Sequence, residues 1–95
     1  MKARHVRKAR RTLASAQARL RSAAERTAGP LQQPATHQGR VAANTAIARG
    51  LRSMSLAAAA LERRDRATFE AETLNVLVAA REAEDSLDAR PVSNG

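Results

Sequence analysis

Apolar residues recur along the first third of the chain with a period of seven. Val6, Ala9, Leu13, Ala16, Leu20 and Ala23 fall alternately three and four apart, which makes one narrow stripe on a helix built to face another helix. The pattern predicts a first helix over 3–28. Gly29-Pro30 ends it, glycine offering a left-handed cap and proline being unable to continue. The segment GPLQQPAT over 29–36 reads as a linker with polyproline character, with Leu31 placed to tuck back onto the helices.

A second apolar stripe predicts a helix over 37–63. Ile47, Leu51, Met54, Ala58 and Leu61 carry it, and Val41 and Asn44 extend it backwards. Thr36 stands where an N-cap belongs. Gly50 lies mid-helix and costs about 1 kcal/mol relative to alanine, so either a neighbouring backbone approaches there or the helix bends. The polar turn Glu62-Arg63-Arg64-Asp65-Arg66 then interrupts the pattern. Asp65 is the natural N-cap of a third helix over 66–89, with Glu70 and Glu72 near its positive dipole end. Phe69, Thr73, Val76, Ala80, Ala83 and Leu87 form its stripe, widened by Leu74, Leu77 and Val78, and mark it as the centre of the core. Arg90-Pro91 stops it, and the last residues are expected to fray. The stretch ALERRDRATFEAETL resembles the helical hairpins of many α-domains, tetratricopeptide repeats among them. A repeat would need a second copy about 34 residues away, and the chain has none.

The fold expected is all-α: a three-helix bundle in one small domain spanning 1–95. Helices two and three form an antiparallel hairpin, and the N-terminal helix packs alongside it or is exchanged into a dimer. Roughly a quarter of the 95 residues are alanine and Phe69 is the single aromatic. Alanine favours helix but brings little area to bury, so the core is thin and self-association, a homo-oligomer, is an expectation.

Charge changes the picture most. The chain has 17 Lys and Arg against 9 Asp and Glu, a net of +8. Residues 1–28 carry nine basic residues and one acid, whereas 65–95 carry three Arg and seven acids. Arg4, Arg7, Lys8 and Arg11 fall at i, i+3, i+4 and i+7, sharing a helix face turned away from the apolar stripe. Seven basic residues, His5 included, lie within the first eleven. Two readings compete for them. Arg19, Arg21 and Arg26 could pair with Glu82, Glu84, Asp85 or Asp88 and merely set helix order. Alternatively Arg4, Arg7, Lys8, Arg10 and Arg11 stay uncovered as an anion-binding patch.

Phosphate backbones suit such a patch, because guanidinium forks match phosphate oxygens and counterion release drives the binding. The partner expected is nucleic acid, DNA or structured RNA, with Arg40, Arg49 and Arg52 extending the footprint if they lie on the same side. No aromatic is available in the first helix to stack bases. The alternative is a helical interaction module, an assembly subunit, adaptor or inhibitor, that meets an acidic protein surface. A membrane surface is disfavoured, since Val6, Ala9 and Leu13 are weak wedging material opposite the basic face.

No catalytic residues are assigned. The acids of the third helix read as a solvated face, and Ser15, Ser22, Ser53 and Ser55 lack any triad context. The four glycines are scattered, which leaves no phosphate loop, and no cofactor is implied. His5 and His37 have no carboxylate at ligand spacing, so no metal site is expected either. Cysteine is absent. The basic start lacks the apolar segment of a secretory signal, so cytoplasm or the interior of a particle is the expected location.

Overall fold

The computed structural model of the chain describes residues 2–29 and 36–88. Three α-helices account for nearly all of them: α1, Ala3–Ala28; α2, His37–Glu62; and α3, Arg66–Asp88. They form a rod 57 Å long and 20 by 17 Å across. Packing is most extensive between α2 and α3, and α1 lies against both. Of the two placements open to α1, the one seen within the chain is alongside its own hairpin. Ala16, Leu20 and Ala23 share one buried cluster with Ala43 and Ala46 of α2 and Val76, Ala80 and Ala83 of α3.

The helix ends follow local chemistry. Thr36 caps α2 by accepting from the Gly39 amide at 2.9 Å. Asp65 caps α3 by accepting from the Thr68 amide at 3.2 Å. Gly29 departs from the left-handed cap expected of it. It sits at φ −91°, ψ 175° while its amide bonds the Glu25 carbonyl at 2.9 Å. The residue before a proline is held in the extended region, and that constraint outweighs glycine's freedom. The left-handed cap is instead Arg64, at φ 60°. The Asp65 amide reaches back to Ala60 at 2.8 Å and the Arg64 amide to Leu61 at 3.1 Å, the paired bonds of a Schellman ending. α2 therefore stops at Glu62, one residue before the expected boundary.

The seam of α2 is not the one its large residues suggest. Gly39, Ala43, Ala46, Gly50, Ala57 and Ala60 are the buried positions, with Leu61 beside them. They fall three or four apart, with one step of seven between Gly50 and Ala57. Val41 and Leu51 are more than half exposed, Asn44 and Ala58 are exposed, and Ile47 and Met54 are half-buried on the flank. In α3 the expected stripe is buried, but Leu74 and Val78 stand out in solvent and Leu77 is half-buried. The physical reason is close approach. A Cβ on Gly50 would come within 2.7 Å of a Leu20 methyl and 3.1 Å of Ala79 Cβ. Gly50 therefore accommodates side chains of two neighbouring helices, not a neighbouring backbone. Small residues let the axes draw together, and larger ones are pushed to the rim.

Candidate nucleic-acid interface

Three contacts fix the direction of each helix and hence which charges meet. Gly39 near the start of α2 abuts Ser86 near the end of α3, so these two run antiparallel. Arg26 pairs with Asp88, which sets the end of α1 beside the end of α3. At the other end Val6 and Ala9 of α1 pack with Ala57, Ala60 and Leu61 of α2 and Phe69 of α3. The bundle is therefore up-down-up, with α1 parallel to α3.

One end of the rod thus collects the opening turns of α1 and the α2–α3 turn. Lys2, Arg4, Arg7, Lys8, Arg10 and Arg11 arrive from the first, and Arg63, Arg64 and Arg66 from the second. Among the described residues four acids share this end: Glu62, Asp65, Glu70 and Glu72. Asp65 lies 3.8 Å from Arg63, and Glu70 accepts from Arg66 at 2.9 Å. Among the described residues no carboxylate comes within ion-pair reach of Arg4, Arg7, Lys8, Arg10 or Arg11. All five side chains are exposed.

The two sources of charge meet directly. A shallow cleft between α1 and α3 is lined by His5, Lys8, Ala9, Thr12, Arg66, Phe69 and Glu70. At 100° per residue, Arg4, Arg7, Lys8 and Arg11 occupy an arc of about 100° that begins at this cleft. Arg10 is offset from that arc, around toward the α2 side. Phe69 forms the floor and is only 5% exposed, so its ring has no face to offer a base.

The other expected contributors lie elsewhere. Arg40 sits at the start of α2, and about 20 residues of helix, some 30 Å, separate it from the α2–α3 turn. Arg49 donates to Glu82 at 2.5 Å. Arg52 lines a groove with Arg49, Leu56, Glu72 and Val78 that α2 and α3 form without α1. None of the three joins the α1 cluster. Arg63, Arg64 and Arg66 take their place, and sequence spacing alone did not single them out. Their signal was the polar turn itself, which carries three arginines within four residues.

The acids of α3 are engaged at the far end. Asp88 takes Arg26, Glu82 takes Arg49, and Asp85 lies 3.9 Å from Arg81. The bond to Asp88 raises the Arg26 pKa above its ordinary value, because the carboxylate favours the charged guanidinium. Arg19 and Arg21 form no such pair among the described residues. Asp65 is shifted the other way. The two hydrogen bonds from Thr68 lead in holding its carboxyl below the usual 3.8, with Arg63 adding to the effect.

No family model, curated protein or solved structure matches this chain. Among the described residues no group of three His, Asp or Glu side chains could hold a metal ion, and no helix is long and apolar enough to cross a membrane.

Proposed function

We propose that this protein binds the phosphate backbone of duplex nucleic acid through its basic end, without catalysing a reaction. The observation that carries the reading is the convergence of two separate stretches of sequence. Arg4, Arg7, Lys8 and Arg11 from α1 and Arg63, Arg64 and Arg66 from the turn come to one end, where acids are few. Guanidinium forks bond phosphate oxygens in pairs, and each neutralised phosphate releases counterions. The single buried aromatic points to backbone contact and away from base stacking.

Arg64 adds support of a different kind. A non-glycine residue at φ 60° is strained by about 1 kcal/mol relative to glycine. Cost of that sort is tolerated where a side chain is needed.

Fluorescence anisotropy on one labelled duplex, titrated with salt, tests the reading. Changing Arg4, Arg7, Lys8 and Arg11 to Ala should reduce the log–log salt slope by roughly 3 to 4, about 0.9 for each phosphate no longer neutralised. Changing Arg63, Arg64 and Arg66 to Ala should also weaken binding, while Arg40→Ala and Arg52→Ala should not. No measurable binding at about 50 mM salt, where such interactions are strong, would overturn it.

A second reading, a helical interaction module, draws on five large apolar side chains left in solvent among the described residues: Val41, Leu51, Leu56, Leu74 and Val78. Such residues become informative when they gather on one face.

A further inference from the structure

α2 is almost free of charge around its whole circumference. Between Val41 and Leu61 its charged side chains are Arg49 and Arg52 alone. The inner face is consumed by α1 and α3. The outer face is not: Val41, Asn44, Ala48, Leu51, Ser55 and Ala58 are all exposed, Val41 at 51% and Leu51 at 58%. These six again fall three and four apart, the spacing of a seam that faces another helix. A helix apolar on one side belongs at a surface, and one apolar nearly all round belongs inside an assembly.

We propose that this outer face pairs with the same face of a second copy, the two α2 helices running antiparallel about a two-fold axis at Leu51. Charge selects both the occupant and the direction. Arg40 stands eleven residues before Leu51 and Glu62 eleven residues after it. Both are exposed, and neither enters an ion pair among the described residues. A two-fold axis at Leu51 brings each Arg40 beside the Glu62 of the other copy, once at each end of the seam. Along the seam Leu51 meets its own mate, Ala48 meets Ser55 and Asn44 meets Ala58, so small side chains face each other and the helices can close.

The wider charge distribution agrees. An antiparallel pair keeps the two basic ends apart and sets each alongside the opposite end of the other copy, where Glu25, Glu82, Glu84, Asp85 and Asp88 balance Arg19, Arg21, Arg26, Arg40 and Arg81. A parallel pair would set like ends together, which opposes association. The surface is self-complementary, as an isologous contact requires. Lys8, at one edge of the phosphate-binding arc, lines the cleft between α1 and α3, and pairing through the outer face of α2 leaves that cleft open.

Cross-linking reads the geometry directly, because the native chain has no cysteine. Under mild oxidation in the absence of nucleic acid, a Leu51→Cys variant should become mostly disulfide-linked dimer, since its mates meet at the axis. A Val41→Cys variant should stay uncross-linked, its mates being held about 30 Å apart. Sedimentation of the native chain at about 100 µM should give twice the 10.2 kDa of one copy. Leu51→Glu should give monomers with undiminished helical circular dichroism. Arg40→Glu should weaken the dimer several-fold, and adding Glu62→Arg to it should restore it. A native chain that stays monomeric, a dimer that survives Leu51→Glu, or cross-linking at both cysteine positions would overturn the proposal. None of these measurements depends on phosphate binding, so the two ideas can fail separately.

Discussion

A Cβ placed on Gly39 would stand 2.5 Å from the carbonyl oxygen of Ser86 and 3.0 Å from the Thr36 hydroxyl that caps α2. Backbone cannot swing aside as a side chain can. Gly39→Ala should therefore force α2 and α3 apart at the end opposite their connecting turn and destabilise the fold by about 2 kcal/mol, despite alanine's better helix propensity. Gly50→Ala should cost less, since the nearest obstacle is the mobile end of Leu20. Urea denaturation of the two variants checks the order. If Gly39→Ala is the milder change, the close approach is not what holds that position.

Thr73 is buried with its Oγ1 lacking any partner. An unpaired buried hydroxyl costs about 1 kcal/mol or more, and valine keeps the shape without it. Thr73→Val should raise the melting temperature by roughly 4–8 °C for a chain of this size. Thermal unfolding followed by circular dichroism decides it, and a lower melting temperature would contradict the packing described for α3.

Arg64 separates stability from binding. Arg64→Gly relieves the positive φ and should stabilise the protein by roughly 0.5–1 kcal/mol. The loss of the Nη1 bond to the Leu61 carbonyl at 2.8 Å offsets part of that gain. Affinity for duplex should fall in the same variant. A protein that is both more stable and equally tight would remove Arg64 from the interface.

Acid should act on the α2–α3 turn through Asp65. Its folded-state pKa is depressed, so its contribution is complete above the ordinary value of 3.8 and is lost as pH falls through the depressed one. Asparagine caps a helix without titrating. Melting temperatures of the native chain and of Asp65→Asn should therefore differ at neutral pH and converge below the ordinary carboxylate range. A gap that stays constant down to pH about 2 would show that the cap does not depend on the charge.

The three helices and two of their N-caps were legible because they rest on local rules: proline after Gly29, Thr36 and Asp65 at N-caps, a polar turn between apolar stripes; the left-handed ending expected at Gly29 stands at Arg64. The stripes of α1 and α3 were legible for the same reason, since their seams carry Val6, Leu20, Phe69, Val76 and Leu87. The seam of α2 was not. Hydrophobicity ranks Leu51 and Val41 above Gly39, Ala43 and Gly50, whereas axis separation is set by whichever face is smallest. The candidate interface was half legible for a related cause. Periodicity groups residues within one helix, so it found Arg4, Arg7, Lys8 and Arg11. Only the parallel placement of α1 and α3 adds Arg63, Arg64 and Arg66 and leaves Arg40 at the far end.

α1 begins with no side-chain cap at Lys2 and no acid in its first turn. Its peptide dipoles therefore point their positive end at the same arginines that would grip phosphate. Unliganded, these side chains repel both one another and the helix that carries them, and dissolved ions mask that repulsion. Raising ionic strength should then firm the opening turns of the free protein while loosening its hold on a duplex. One set of cations would answer the same salt in opposite senses.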